Sequence, residues 1–267
     1  VTTRAVDQGD GSEAPDIAEQ VVMVTGAGRG LGRRIAAALL RQGARVVVNY
    51  HRSREAAEDL ATDYPGRAIA VQADVRDRDQ VEAMFARARE QFAAPVATVV
   101  NNALVDFVFD GDARAKADQI RYDAFADQFS GSLQGALHVI QAALPHFDEL
   151  GSGRIINIGT NLFQHPVVPY HDYTAAKAAL LSLTRTFAAD LGPRGVRVNM
   201  VSGGLLRTTD ASAATPEAVF DAIADSTPLG SVTTPEEFAD AVLFFASPWS
   251  RAVTGQNLVV DGGLVNN

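Results

Sequence analysis

From about residue 20 onward, the apolar and polar positions divide the chain into two alternating kinds of segment. One kind is short and rich in β-branched residues: Val21–Val24, Arg45–Asn49, Ala68–Gln72, Ala97–Asn101, Arg154–Ile158, Arg197–Met200 and Asn257–Val260. Several of these are apolar almost throughout rather than at alternate positions, which is the pattern of strands covered on both faces of a parallel sheet. The other kind is longer and repeats its apolar positions with helical period, as over 31–42, 77–92, 171–190 and 235–246. Gly43, following Arg41 and Gln42, stops the first of these. Thr234-Pro235-Glu236-Glu237 starts the last, with proline at the first helical position and acids in the first turn. The alternation predicts an α/β fold, a doubly wound (Rossmann-type) parallel sheet of about seven strands flanked by helices and joined by right-handed crossovers.

Composition narrows the classes of function. Of 267 residues, 47% are hydrophobic and 21% charged, enough apolar material for one sizeable core. There is no internal repeat and no Pro/Ser-rich linker, so residues 20–267 read as one domain after a 1–19 extension. That extension carries Asp7, Asp10, Glu13, Asp16 and Glu19 against Arg4 alone, without the basic-then-apolar order of a signal peptide. It is expected to be loosely attached, and the protein cytoplasmic. A net charge of −9 opposes general nucleic-acid binding. No run approaches the length needed to cross a bilayer. Without cysteine there are no disulfides, thiolate zinc sites or cysteine nucleophile. The histidines at 51, 138, 146, 165 and 171 lack the spacing of a catalytic zinc site, so no metal is expected.

The first strand runs directly into Thr25-Gly26-Ala27-Gly28-Arg29-Gly30-Leu31-Gly32 and then a helix. Glycines here let the backbone turn tightly and approach a pyrophosphate, whose charge meets the helix N-terminus. An acid ending the second strand would accept from a ribose 2′-hydroxyl and repel a 2′-phosphate. That strand instead ends Val48-Asn49-Tyr50-His51-Arg52, and Arg29 lies within the glycine loop. Two arginines and a neutral strand end favour a 2′-phosphate, and hence NADP(H). Tyr173 and Lys177, four residues apart in a helical segment, share one face. A lysine ammonium there, with the positively charged oxidised nicotinamide, is expected to stabilise the phenolate and lower the tyrosine pKa, so that the hydroxyl exchanges a proton with a carbonyl oxygen.

Taken in order, Thr25-Gly26-x3-Gly30-x-Gly32, Ala73-Asp74-Val75, Asn101-Asn102-Ala103, Tyr173-x-x-x-Lys177 and Val253-Thr254-Gly255-Gln256…Val260-Asp261-Gly262-Gly263 resemble the short-chain dehydrogenase/reductase family, over residues 20–265. The pattern is nearest to that of 3-oxoacyl-acyl-carrier-protein reductases. The resemblance implies cofactor contacts at Thr25, Gly26, Arg29, Gly30, Leu31 and Gly32, and around Asn49, His51 and Arg52. It implies further contacts at Asp74, Val75, Asn101, Ala103, Tyr173, Lys177, Gly203, Gly204 and Thr208. It assigns the proton exchange to Tyr173 with Lys177, puts Thr160 where the family carries its serine, just after strand Arg154–Ile158, and puts Ser132 where a helix asparagine holds a relay water. Leu104 replaces a glycine, bringing a large apolar side chain towards the cofactor loop. Gly203 replaces a proline, which loosens that turn.

The implied activity is NADPH-dependent reduction of a ketone to a secondary alcohol, with a 3-oxoacyl thioester on acyl carrier protein as substrate in fatty acid biosynthesis. A reductase of another small or cyclic ketone or imine, such as a pterin, stays open. So does a sensor that binds NADP(H) without turnover. Phe107-Val108-Phe109 suggests an apolar entrance, His165 and His171 flank the approach to Tyr173, and Thr208–Pro228 reads as a lid with a helix start at Thr215-Pro216-Glu217. The resemblance also implies a homotetramer in which long helices around 116–148 and 171–190 pair across one axis.

Overall fold

All seven β-branched segments become strands and every pairing between them is parallel. The computed structural model describes residues 15–266 apart from 106, 108, 111, 112, 211 and 214. The strands are β1 (Val21–Val24), β2 (Arg45–Tyr50), β3 (Ala68–Gln72), β4 (Val96–Asn101), β5 (Gly153–Thr160), β6 (Val196–Gly203) and β7 (Asn257–Val260). They form one sheet in the order β3-β2-β1-β4-β5-β6-β7. The winding reverses between β1 and β4, and ligands of such sheets sit beyond the strand ends at that point.

Neighbouring residues of a strand face opposite layers. Val22, Val46, Ile156 and Val201 pack on Ile35, Leu39, Phe238 and Val242. Met23, Val99, Ile155 and Val198 pack on Val81, Met84, Val139 and Phe147. Both faces are buried, which is why these strands carry no polar alternation.

The helices are α1 (Gly30–Arg41), α2 (Arg54–Thr62), α3 (Arg78–Phe92), α4 (Tyr122–Phe129), α5 (Gly135–Leu150), α6 (His171–Leu191), α7 (Glu217–Ser226) and α8 (Pro235–Ala246). The start of α8 is a full capping box: Thr234 Oγ1 accepts from Glu237 N at 3.2 Å and Glu237 accepts from Thr234 N at 2.8 Å.

Three expectations need correction. Strands β5 and β6 extend to pair Gly159 with Ser202 and Thr160 with Gly203, so Thr160 ends β5 rather than following it. These small and polar residues join the ladder through their backbones, which side-chain patterning does not reveal. The helix expected from 116 begins at Tyr122, and a π-helical turn over Ser130–Gln134 separates α4 from α5. Glycines at 131 and 135 admit Val105 and Val75 against that stretch; a Cβ on Gly135 would lie 2.6 Å from Val75 Cγ2.

The third correction concerns the extension. Residues 1–14 lie outside the described residues. Ile17–Glu19, however, form a short 3-10 helix, with Ile17 packed on the core and Gln20 Nε2 donating to Pro15 O (2.9 Å) and Ala246 O (2.8 Å). Among the described residues no helix is long and apolar enough to cross a membrane.

Candidate active site

The turn from β1 into α1 is shaped by its glycines. Gly26 and Gly30 adopt positive φ of 62° and 53°, where side chains are strained. A Cβ on Gly32 would collide with Gly26 O and Asn102 Nδ2, and one on Gly28 with Ser53 Oγ. Thr25 Oγ1 accepts from the backbone N–H groups of Asn102 and Ala103, both at 3.0 Å, and donates to Val100 O at 3.3 Å. Asn102 Nδ2 donates to Thr25 O (2.9 Å) and Gly26 O (3.2 Å). Asn49 accepts from Gly26 N at 3.1 Å and donates to Ala73 O at 3.1 Å.

Thr25 and Asn49 therefore hold the loop through side chains committed to its backbone, and Asn49 is buried rather than presented to a ligand. The N-cap of α1, Arg29, makes no side-chain cap bond, and the first turn of the helix opens a loop in which side chains at 26, 28 and 32 would collide with their neighbours. Positive helix-end dipole, unpartnered donors and absent Cβ atoms together fit a pyrophosphate.

Beside the cradle, His51 and Arg52 are exposed at the end of β2 and Arg29 is exposed at its rim. Asp74, just after β3, is grasped by Arg76 through Nη2–Oδ2 at 2.6 Å and Nε contacts at 3.0 Å. The Arg76 guanidinium holds the carboxyl below its usual range, and His51 Nε2 lies 3.9 Å from it. Sequence reasoning named neither Arg76 nor Ser53, although Arg76 follows Asp74 by only two positions.

Beyond the ends of β5 and β6, α6 presents Tyr173 and Lys177, only 7% and 3% exposed, towards the buried Thr160. Lys177 Nζ donates to Ile158 O at 2.8 Å and sits 5.8 Å from the centre of the Tyr173 ring. Thr160 Oγ1 accepts from Leu162 N at 3.3 Å, and its side chain hydrogen-bonds Tyr173. Burial pushes the Tyr173 phenol up to about 12, the Thr160 bond acting against it. Burial also lowers Lys177 to about 8. In the chain alone desolvation dominates; the expected lowering involves the charge of an oxidised nicotinamide beside Lys177.

Ser132 Oγ is buried in the π-helical turn and has no hydrogen-bond partner among the described residues. Asn101 Nδ2 donates to Asn157 Oδ1 at 2.8 Å, and Asn157 donates to Thr184 Oγ1 at 2.8 Å, tying β4, β5 and α6 together.

Gly203 and Gly204 are closely packed. A Cβ on Gly203 would lie 2.7 Å from the Phe238 ring, and one on Gly204 2.9 Å from Asn161 Nδ2. Close packing demands glycine there. Thr208 is exposed just beyond, and Leu104 is half-buried where the segment after β4 begins.

The mouth of the site is aromatic. Phe107, Phe109 and Tyr170 surround Tyr173, with Phe107 at 4.8 Å between ring centres. Val108, the middle residue of the expected apolar entrance, lies outside the described residues, as do Ala211 and Ala214 of the expected lid. His165 and His171 are exposed. In the lid segment, α7 buries Phe220 beneath the Arg207 guanidinium (5.3 Å to the ring centre), and Arg207 ion-pairs with Glu217. The ion pair between Arg114 and Asp172 was not anticipated, because 58 residues separate the partners and neither carries a local signal.

Comparison with known proteins agrees with this arrangement. A family model described as enoyl-(acyl carrier protein) reductase matches residues 26–265. A 3-oxoacyl-acyl-carrier-protein reductase of Staphylococcus aureus is 32% identical over 246 residues, 91% of this chain and 96% of the relative. A versicolorin reductase of Emericella nidulans is 34% identical, covering 91% and 95%. An L-rhamnose 1-dehydrogenase (NAD(P)(+)) of Azotobacter vinelandii is 36% identical, covering 93% and 98%.

Proposed function

The chain belongs to the short-chain dehydrogenase/reductase family, oxidoreductases acting on CH–OH and C=O groups, and from that premise we propose that it reduces a ketone to a secondary alcohol with NADPH. The observation that carries the reading is the placement of Tyr173 and Lys177, buried on α6 beside Thr160 at the ends of β5 and β6. With its pKa near 12, the phenol is a poor base at neutral pH. It remains far more acidic than an alcohol, so proton transfer to a forming alkoxide runs downhill.

Bound in the glycine cradle, the nicotinamide cofactor supplies the hydride. Gly30, Leu31 and Gly32 would hold its pyrophosphate, and Arg29 and Arg52 its 2′-phosphate, with His51 alongside. Thr160 donates a hydrogen bond to the carbonyl oxygen and fixes its distance from Tyr173 Oη, which gives up its proton. Lys177, anchored on Ile158 O, stays an ammonium at neutral pH and offsets negative charge forming on the phenol. Ser132, with its Oγ free inside the helix turn, is the group available to hold a water that restores the proton.

Within this reading the substrate is a 3-oxoacyl thioester, as the name of the Staphylococcus aureus relative suggests. The assembly is a homotetramer, which light scattering would detect. The test is NADPH consumption with an acetoacetyl thioester beside NADH at matched concentration, in the wild type and in Arg52→Ala. Oxidation of NADPH in preference to NADH, with the preference reduced in Arg52→Ala, supports the reading. Equal use of both cofactors removes the 2′-phosphate assignment, and tight NADPH binding without turnover of any ketone favours a sensor.

A further inference from the structure

The N-terminus of α1 is a positive helix end without a carboxylate of its own. Its N-cap, Arg29, makes no side-chain cap bond, and the first turn contains no acid. The carboxylate that approaches it comes from the segment after β6. A Cβ built on Gly30 would lie 4.0 Å from Asp210 Oδ2; apart from Arg29 and the helix itself, no other described atom comes within that distance. Asp210 follows Thr208 by two positions and is exposed. Its place is set by Ser212, whose hydroxyl is buried: Oγ accepts from Thr209 N at 2.8 Å and donates to Leu206 O at 2.6 Å. Arg207 N donates to Thr233 O at 3.0 Å, which ties the same turn to the residue before the α8 cap.

We propose that Asp210 is an internal counter-anion for the α1 N-terminus, and that its competition with the cofactor pyrophosphate sets how tightly the chain holds a dinucleotide. The inference rests on the reading that the glycine cradle holds that pyrophosphate. In the chain alone, the carboxylate offsets the positive helix end and stabilises it. With a pyrophosphate in the cradle, the same carboxylate is a like charge beside it and opposes binding. Arg29 and Arg52 act on a 2′-phosphate, which only one of the two nicotinamide cofactors carries. Asp210 acts on the pyrophosphate that both carry, so it weakens both without choosing between them. A reductase releases its oxidised cofactor after every turnover, and a fixed negative charge at the cradle shortens that residence.

The test separates the pyrophosphate from the rest of the cofactor. Dissociation constants are measured by calorimetric titration in the wild type, Asp210→Asn and Asp210→Ala, at low and at high salt. The probes are ADP, which has the pyrophosphate alone, adenosine 2′-monophosphate, which has the 2′-phosphate alone, and NADH and NADPH. Both variants should bind ADP, NADH and NADPH more tightly by a common factor of about three to five, the worth of one exposed charge at a helix end. Affinity for adenosine 2′-monophosphate should not change. The factor should shrink as salt is added. Thermal melts give a second signature. Without nucleotide Asp210→Asn should melt below the wild type, and with saturating NADPH above it, because the carboxylate helps the free chain and opposes the loaded one.

Unchanged or weaker ADP binding in the variants would overturn the proposal. So would equal tightening of adenosine 2′-monophosphate, which would reduce the effect to one of net charge, or melts that shift in the same direction with and without NADPH. Failure of ADP, NADH and NADPH to bind the wild type would sink the cofactor reading and the inference with it. Binding of all three with no response to Asp210→Asn would sink the inference alone.

Discussion

The glycine cradle and the aromatic mouth lie at the same end of the sheet and are held by opposite means. In the cradle, backbone groups and short side chains satisfy one another: Thr25, Asn49 and Asn102 together make bonds to Val100, Ala73, Gly26 and Ala103 at 2.9–3.3 Å. Space there is made by leaving side chains out. In the mouth, large side chains fill the space themselves, and polar atoms are left over, such as Asp172 Oδ1 and the Ser132 hydroxyl. The cradle is preformed for a ligand common to a whole family. The mouth covers its acid with rings that must yield to a substrate, and side-chain packing of this kind can change while the sheet stays fixed.

The contrast can be broken at several points. Thr160→Val keeps the shape of the site but removes the hydroxyl that positions the carbonyl, and should lower kcat by about 10²-fold without weakening cofactor binding. Loss of cofactor affinity instead would mean that the two halves are not separable. Next is the pH dependence of stability. In the fold Lys177 loses its proton near pH 8, against 10.5 for a free lysine, so between those values the unfolded chain binds the extra proton.

Stability should therefore rise with pH from about 8 to about 10, by an amount on the order of 3 kcal/mol. Above about 10 the raised Tyr173 pKa works in the opposite sense, because the unfolded phenol ionises first. Thermal melts across this range should show the rise in the wild type and a flatter profile in Lys177→Met. Gly32→Ala, forced against Gly26 O and Asn102, should cost about 1–3 kcal/mol and weaken NADPH binding, as read by melts and titration. Phe109→Leu in the mouth should stay within about 1 kcal/mol in stability. A larger loss would mean that the mouth is as rigidly built as the cradle.

The same contrast explains what was legible in the sequence. The sheet could be read because the faces of its central strands are covered, so several strands are apolar almost throughout. The cradle could be read because its parts are contiguous and its glycines have no other use in that order. Tyr173 and Lys177 were legible through a spacing that puts them on one helix face. Their electrostatics were not, because burial of the pair, which raises one pKa and lowers the other, depends on what the segment after β4 lays over them. The ends of β5 and β6 were missed because Gly159, Thr160, Ser202 and Gly203 enter the ladder by backbone alone. Arg114 and Asp172 form a pair only when the segment between β4 and α4 lies against α6, and no local pattern announces it.

The most direct test of the account is the initial rate of NADPH oxidation with a reducible ketone in the wild type beside Tyr173→Phe, with NADPH affinity measured in both. The account predicts ketone-dependent oxidation in the wild type, a fall of about 10²–10⁴-fold in the variant, and unchanged cofactor binding. Equal rates in the two proteins, or no ketone-dependent oxidation in either, would contradict the role assigned to Tyr173.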